Sequence, residues 1–306
     1  MRVVFFGTPD VAVPGLRALL ASEHHVTGVV TQPDRPRGRG REPLPSPVKQ
    51  VALEAGLPLL QPESPKLDGF DDALSALEPE MLTVIAYGHI LPRNVLAVAP
   101  AMNVHFSLLP RYRGAAPVQR ALMDGATETG VSVFLLEPTV DTGPVLIRRA
   151  VFIGPEETAG ELLDRLAPIG AELLLQAVDG YAAGTLVPEP QDDVEASPAP
   201  KITPEETRID WSAPAVDVVN RIRGLSPKPG AWTTFRGKRL LLHRARVVPG
   251  GEVPGRVISP NDGAFTVAAS TGAVALLEVQ PEGKRPMSVE EFVRGYRPEP
   301  GEQLGS

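Results

Sequence analysis

The chain has 306 residues, 42% hydrophobic and 22% charged, the make-up of a soluble globular protein long enough for one large domain or two ordinary ones. It contains no cysteine, which excludes disulfides, thiol nucleophiles and thiolate metal sites. The formal net charge is −7, no apolar run approaches the ~20 residues that span a bilayer, and MRVVFFGTPD lacks the apolar core of a secretion signal, so a cytoplasmic protein without membrane contact is expected.

From the N-terminus, RVVFFG is almost wholly apolar, as a strand buried on both faces should be. Thr8-Pro9-Asp10 opens a helical stretch, VAVPGLRALLAS, and His25–Thr31 reads as a second strand. Strand–helix–strand is the usual start of a doubly wound α/β domain. VKQVALEAGL reads as a helix, MLTVIAY and AMNVHFS as further buried strands, APVQRALMDG as a helix and VSVFLL as a strand. ETAGELLDRLAPIGAELLLQAV carries a long helical pattern. Over 188–208 the chain turns to proline, acids and small residues, which suits an extended linker rather than packed structure. IDWSAPAVDVVNRIRGL looks helical again. AWTTFRG, KRLLLHRARVV, GRVISP, GAFTVAAS and AVALLEVQ then form short β-like runs between turns, the pattern of a small barrel. The expected fold is a Rossmann-like, doubly wound α/β domain with a mostly parallel sheet over 1–189, a linker over 190–207, and a smaller OB-like β-barrel domain over 208–306.

The charge is uneven. Residues 1–208 hold 17 basic and 27 acidic side chains, whereas 209–306 hold 13 and 10. Nine basic residues, among them Arg239 and Arg244, fall within 221–256 beside one acid, Glu252. A basic segment on an acidic chain suits local polyanion binding, and equally a solvated strand face. Arg35, Arg37, Arg39 and Arg41 alternate with proline and glycine. No core buries four unpaired arginines, and guanidinium groups on a glycine-rich loop suit RNA phosphates and base edges.

The chemistry concentrates in Asn103-Val104-His105-Phe106-Ser107-Leu108-Leu109-Pro110. Two-residue alternation puts Asn103 and His105 on one face of a strand, near the end where open α/β sheets keep their ligand crevice. Asp141, in the loop Val140-Asp141-Thr142-Gly143 after VSVFLL, adds a carboxylate. Each residue alone has a bland explanation: a satisfied core histidine, a capping amide, a turn former. Together they suit direct transfer of an acyl group to an amine. Asn103 and His105 would donate to the developing oxyanion, and Asp141 would orient the imidazole or accept the amine's proton. There is no G-x-S-x-G elbow for an acyl-enzyme, no metal-ligand spacing, and no G-x-G-x-x-G for a nicotinamide cofactor.

NVHFSLLPRYRGAAPVQRAL followed by VDTG resembles the folate-dependent formyltransferases. The resemblance implies that Asn103, His105 and Asp141 form the formyl-transfer site, with 10-formyltetrahydrofolate as donor and no metal. It further implies that Ser107, Leu108, Leu109 and Pro110 touch the folate, and that the pteridine lies near Tyr87, Ile90, Leu91 and Val140. FGTPD, TQPDRPRGRG, PSPVK, RYRGAAP and RIDW are similar to those members of the family that formylate methionine carried on initiator tRNA. That likeness implies RNA contacts by the 34–47 loop (Arg35, Arg37, Arg39, Arg41) and by the C-terminal barrel (Arg239, Arg244). Phe106 stands where a small residue is common, which would narrow the pocket, and Glu42 interrupts a basic run that is often longer. A formyltransferase acting on a small amine, such as glycinamide ribonucleotide or an amino sugar, would share the three polar residues but leave the arginines unexplained. A non-catalytic RNA-binding protein would retain the arginines and lose the chemistry. Nothing in the pattern demands a dimer, so a monomer is expected.

Overall fold

The computed structural model describes residues 1–36, 43–251, 253–259 and 265–305. It divides into two compact units. The first comprises Met1–Pro117, Thr129–Val151 and Leu163–Pro200, and the second Val118–Glu128, Phe152–Leu162 and Lys201–Ser306.

In chain order the first half contains β1 (Arg2–Gly7), α1 (Val13–Leu20), β2 (His25–Val30), the short strands β3 (Arg35–Pro36) and β4 (Pro43–Leu44), α2 (Pro47–Glu54), β5 (Leu59–Leu60) and α3 (Phe70–Ser75). There follow β6 (Met81–Ile85), α4 (Arg93–Leu96), β7 (Ala101–His105), α5 (Pro117–Met123), β8 (Glu128–Leu135), β9 (Val145–Phe152) and α6 (Ala159–Ala182). The sheet order is β5-β2-β1-β6-β7-β8-β9. β5, β2, β1, β6 and β7 pair in parallel, and β8 pairs antiparallel with β7. Apart from Arg2, the central strands β1 and β6 are buried along their length, which is why VVFFG and MLTVI carry no alternation. The chain runs outward from β1 to β2 and β5, then returns to the other side of β1 with β6. That reversal is the switch point at which α/β sheets hold ligands, beyond the carboxyl ends of β1 and β6.

Local chemistry sets the helix starts. Ser46 caps α2 by accepting the Lys49 N–H, with Pro47 in the first turn. Before α6, Thr158 and Glu161 form a reciprocal capping box. Pro168 lies inside α6 without ending it. β9 escapes the sequence pattern because Arg148 and Arg149 break its apolar run. Both arginines are satisfied at the surface, by Glu189 and Glu172.

The second unit contains α7 (Ala215–Leu225), β10 (Ala231–Phe235), β11 (Lys238–Val248), β12 (Val257–Ser259), β13 (Phe265–Ala268), β14 (Ala273–Pro281), β15 (Met287–Ser288) and α8 (Val289–Tyr296). Its antiparallel strands are ordered β10-β11-β14-β13-β12, a curled half-barrel closed over Phe235, Phe265 and Phe292. The helix expected from Ile209 begins only at Ala215. The Ile209 N–H is taken instead by the carbonyl of Trp232 (2.8 Å), and the Trp211 indole N–H by Thr233 Oγ1 (3.0 Å), so 209–211 lies along the sheet. No helix among the described residues is long and apolar enough to cross a membrane.

Candidate active site

β7 presents Asn103 and His105 on one face, and His105 ends the strand, 6% exposed. Its Nε2 lies 2.8 Å from the carbonyl oxygen of Tyr112. A carbonyl only accepts, so Nε2 carries a hydrogen and donates it. Nδ1 is then the nitrogen left for chemistry, and Oδ2 of Asp141 lies 3.8 Å from it. Phe134 meets the imidazole edge-on, with ring centroids 6.4 Å apart, and limits its rotation.

Asp141 stands in the left-handed region, φ +54°, in the loop joining β8 to β9. Its Oδ2 also accepts the N–H of Gly114 at 2.8 Å. Gly143, two residues on, is demanded by close approach: a Cβ there would lie 1.8 Å from the carbonyl oxygen of Leu135. The turn that carries the carboxylate is thus pressed against the end of β8.

Asn103, His105 and Asp141 line one cavity of about 540 Å³, within the usual range for small-molecule sites. Val84, Leu91, Leu96, Phe106 and Leu136 supply apolar wall, and Ile90 and Val140 remain exposed. The 86–91 segment is braced from behind. Thr8 Oγ1 and Gln32 Nε2 both donate to the Tyr87 carbonyl, at 3.3 and 2.9 Å, which gives FGTPD and TQPD a structural role beside the cavity. A pteridine, flat and rimmed with donors and acceptors, needs apolar walls and polar atoms not already engaged. Among the described residues, Tyr87 Oη and His89 Nε2 are buried without a hydrogen-bond partner, and both residues line the cavity. Burial pushes the Tyr87 phenol up to about 12, so it stays neutral and able to donate at pH 7. The lining suits a flat group of this kind, and Tyr87, Ile90, Leu91 and Val140 are among its residues.

Ser107, Leu108, Leu109 and Pro110 are not among the residues lining the cavity. Ser107 Oγ donates to the Arg111 carbonyl, and its own carbonyl accepts from Ser132 Oγ. Leu109 packs with Phe134 and Val145, and Leu108 fills the space that the absent side chain of Gly130 leaves. This turn is packed and hydrogen-bonded against β8 through Gly130, Ser132 and Phe134. Phe106 does line the cavity, and Gly170 of α6 makes room for it: a Cβ there would lie 3.3 Å from the Phe106 ring.

Of the arginines, Arg35 is exposed on β3, whereas Arg37, Arg39 and Arg41, with Glu42, lie outside the described residues. Arg239 is exposed, its guanidinium 4.5 Å from the centroid of Trp232. Arg244 is paired with Glu161 and Glu278, so much of its charge is already met. Sequence reasoning missed Gln191, which donates to the carbonyls of Asp141 and Gly143. A lone amide in PEPQDD carries no signal of such a contact.

The chain matches the Formyl transferase family over residues 1–178 and the C-terminal domain of formyl transferase over 201–297. It is 46% identical to the methionyl-tRNA formyltransferase of Moorella thermoacetica, covering 100% of this chain and 99% of that one. It is 49% identical to the methionyl-tRNA formyltransferase of Parafrankia sp., over 97% of this chain and 98% of that protein. Among solved structures, HypX from Aquifex aeolicus in complex with tetrahydrofolic acid superposes with a TM-score of 0.69 at 19% identity, over 99% of this chain and 48% of HypX, a likeness of fold. By sequence along its whole length and by the architecture of both units, the chain belongs to the formyl transferase family, among the methionyl-tRNA formyltransferases.

Proposed function

We propose that the chain transfers the formyl group of 10-formyltetrahydrofolate to the amino group of methionine carried on initiator tRNA, with Asn103, His105 and Asp141 as the catalytic residues. The observation that carries this reading is the meeting of an amide, an imidazole and a carboxylate in one cavity, with Nδ1 of His105 3.8 Å from Oδ2 of Asp141. The folate supplies a formyl carbon bonded to nitrogen. Asn103 donates a hydrogen bond to the formyl oxygen as it gains negative charge while the amine adds. A protonated His105 donates from Nδ1, since Nε2 is engaged by Tyr112. Asp141 accepts the proton that the amine must shed, directly or through water, and that proton returns to the folate nitrogen as its bond to the formyl carbon breaks. On this reading residues 1–189 hold the chemistry. Residues 208–306 and the arginines from Arg35 to Arg41 hold the RNA, in a monomeric cytoplasmic enzyme.

The test is formylation of charged initiator tRNA, beside glycinamide ribonucleotide and an amino sugar, with 10-formyltetrahydrofolate supplied throughout. Loss of one oxyanion donor typically costs ~10²–10³ in kcat, so Asn103→Ala and His105→Ala should fall by that order while tRNA affinity holds. Turnover within a few-fold of the parent in both variants would remove the site assignment. Preference for the small amine would remove the acceptor.

A further inference from the structure

Residues 189–199 lie against both loops that complete the candidate site. At one end Glu189 and Val145 exchange backbone hydrogen bonds, each 2.8 Å. At the other, the Arg113 N–H donates to the Ser197 carbonyl (2.8 Å), Ala199 N–H to the Arg113 carbonyl (2.6 Å), and Tyr112 N–H to Ser197 Oγ (2.9 Å). Between them sits Gln191. Its Nε2 donates to the carbonyls of Asp141 (2.9 Å) and Gly143 (2.7 Å), and its Oε1 accepts from Arg113 Nε (3.0 Å). The orientation of the amide is unambiguous, because a flip would set oxygen against two carbonyls and nitrogen against a guanidinium donor. Arg113 is held in turn by Asp193, 2.9 Å away.

We infer that Gln191 is a positioning residue: it ties the loop bearing Asp141 to the loop bearing Tyr112 and Gly114, and so sets the Asp141 carboxylate against His105. The inference rests on the assignment of Asp141 and His105 made above. Its physical basis is the backbone of Asp141, which stands at φ +54° and needs surrounding contacts to stay there. Two of those contacts are the hydrogen bonds from Gln191. The neighbouring loop supplies the other fixed points, Gly114 N–H on the carboxylate and Tyr112 carbonyl on the imidazole. One amide thereby links both partners of the His105–Asp141 pair.

Gln191→Glu is nearly isosteric and still accepts from Arg113, but it offers no donor to the two carbonyls. With both substrates saturating, kcat should fall about ten- to hundred-fold, as small misplacements of reacting groups do, with KM for folate and charged tRNA within about two-fold. The pH profile of kcat should change shape in the same variant, an effect that loss of packing alone would not produce. In an Asp141→Asn background the same substitution should cost no more than about two-fold, since its effect is exerted through that carboxylate. A Gln191→Glu enzyme within two-fold of the parent, or an equal loss in both backgrounds, overturns the inference. An Asp141→Asn enzyme as fast as the parent removes the site assignment, and the positioning role with it. A damaged Asp141→Asn beside an intact Gln191→Glu removes only the role of Gln191. Should Gln191→Glu not fold, Gln191→Met, similar in length and uncharged, carries the same comparison.

Discussion

Gly143→Ala probes how tightly the Asp141 turn is built. A Cβ at 143 would stand 1.8 Å from the Leu135 carbonyl oxygen, whereas real Cβ contacts essentially never fall below 3.0 Å. The separation must therefore grow by about 1.2 Å. The Leu135 carbonyl cannot yield alone, because the N–H of the same residue is bonded to Pro144 (2.9 Å) and β8 is paired to β7. The displacement falls on 141–143, whose carbonyls at Asp141 and Gly143 are held by Gln191. A shift of about 1 Å in a catalytic group costs on the order of 10²-fold in rate, and overpacking of this type costs about 1–3 kcal/mol of stability. The assay is kcat for formylation of charged tRNA, measured well below the unfolding midpoint, with that midpoint recorded in parallel. A variant whose kcat stays within three-fold of the parent would refute the claim that this turn places the carboxylate.

In the second unit, the Arg120 guanidinium beside Glu206 holds the Glu206 carboxyl at about 2 against an ordinary 4.5. A lowered carboxyl contributes stability that is full above about pH 4.5 and is lost as the pH falls towards 2. With the Glu206 side chain 27% exposed, that contribution is on the order of 1–3 kcal/mol. The gap in unfolding free energy between parent and Glu206→Gln should be full at pH 7 and close over that acid range; a gap that does not change with pH would contradict the pairing. Phe292, fully buried and stacked 4.6 Å from Tyr296 and 5.4 Å from Phe265, should cost about 3–5 kcal/mol when cut to alanine. Chemical denaturation reads this directly, and a loss below about 1 kcal/mol would mean that the half-barrel core closes over the gap.

Much of the architecture is local and therefore legible in the sequence. Buried strands such as RVVFFG and MLTVI announce themselves because parallel strands covered on both faces need unbroken apolar runs. The five runs after Pro229 were readable as strands for the complementary reason, short alternating segments between glycine turns. Asn103 and His105 share a face by the pleat alone, and the end of β7 is where the sheet leaves its crevice. β9 was not legible, because two adjacent arginines mask its alternation until Glu172 and Glu189 are seen to meet them. The helix start at Ala215, rather than Ile209, depends on Trp232 and Thr233 taking the N–H groups of Ile209 and Trp211.

The sequence by itself determined the residue types and the strand that carries two of the three polar groups. Only the tertiary structure decided that Asp141 comes within 3.8 Å of His105, which residues line the cavity, and that Gln191 binds the Asp141 turn. The physical reason is range. Periodicity and turn chemistry act over a few residues and are written in the chain. The contacts that bring Asp141 and residues 189–199 to the site, such as Gly114 N–H to Asp141 and Tyr112 N–H to Ser197, join positions 27 and 85 residues apart, and depend on where the loops between them come to rest.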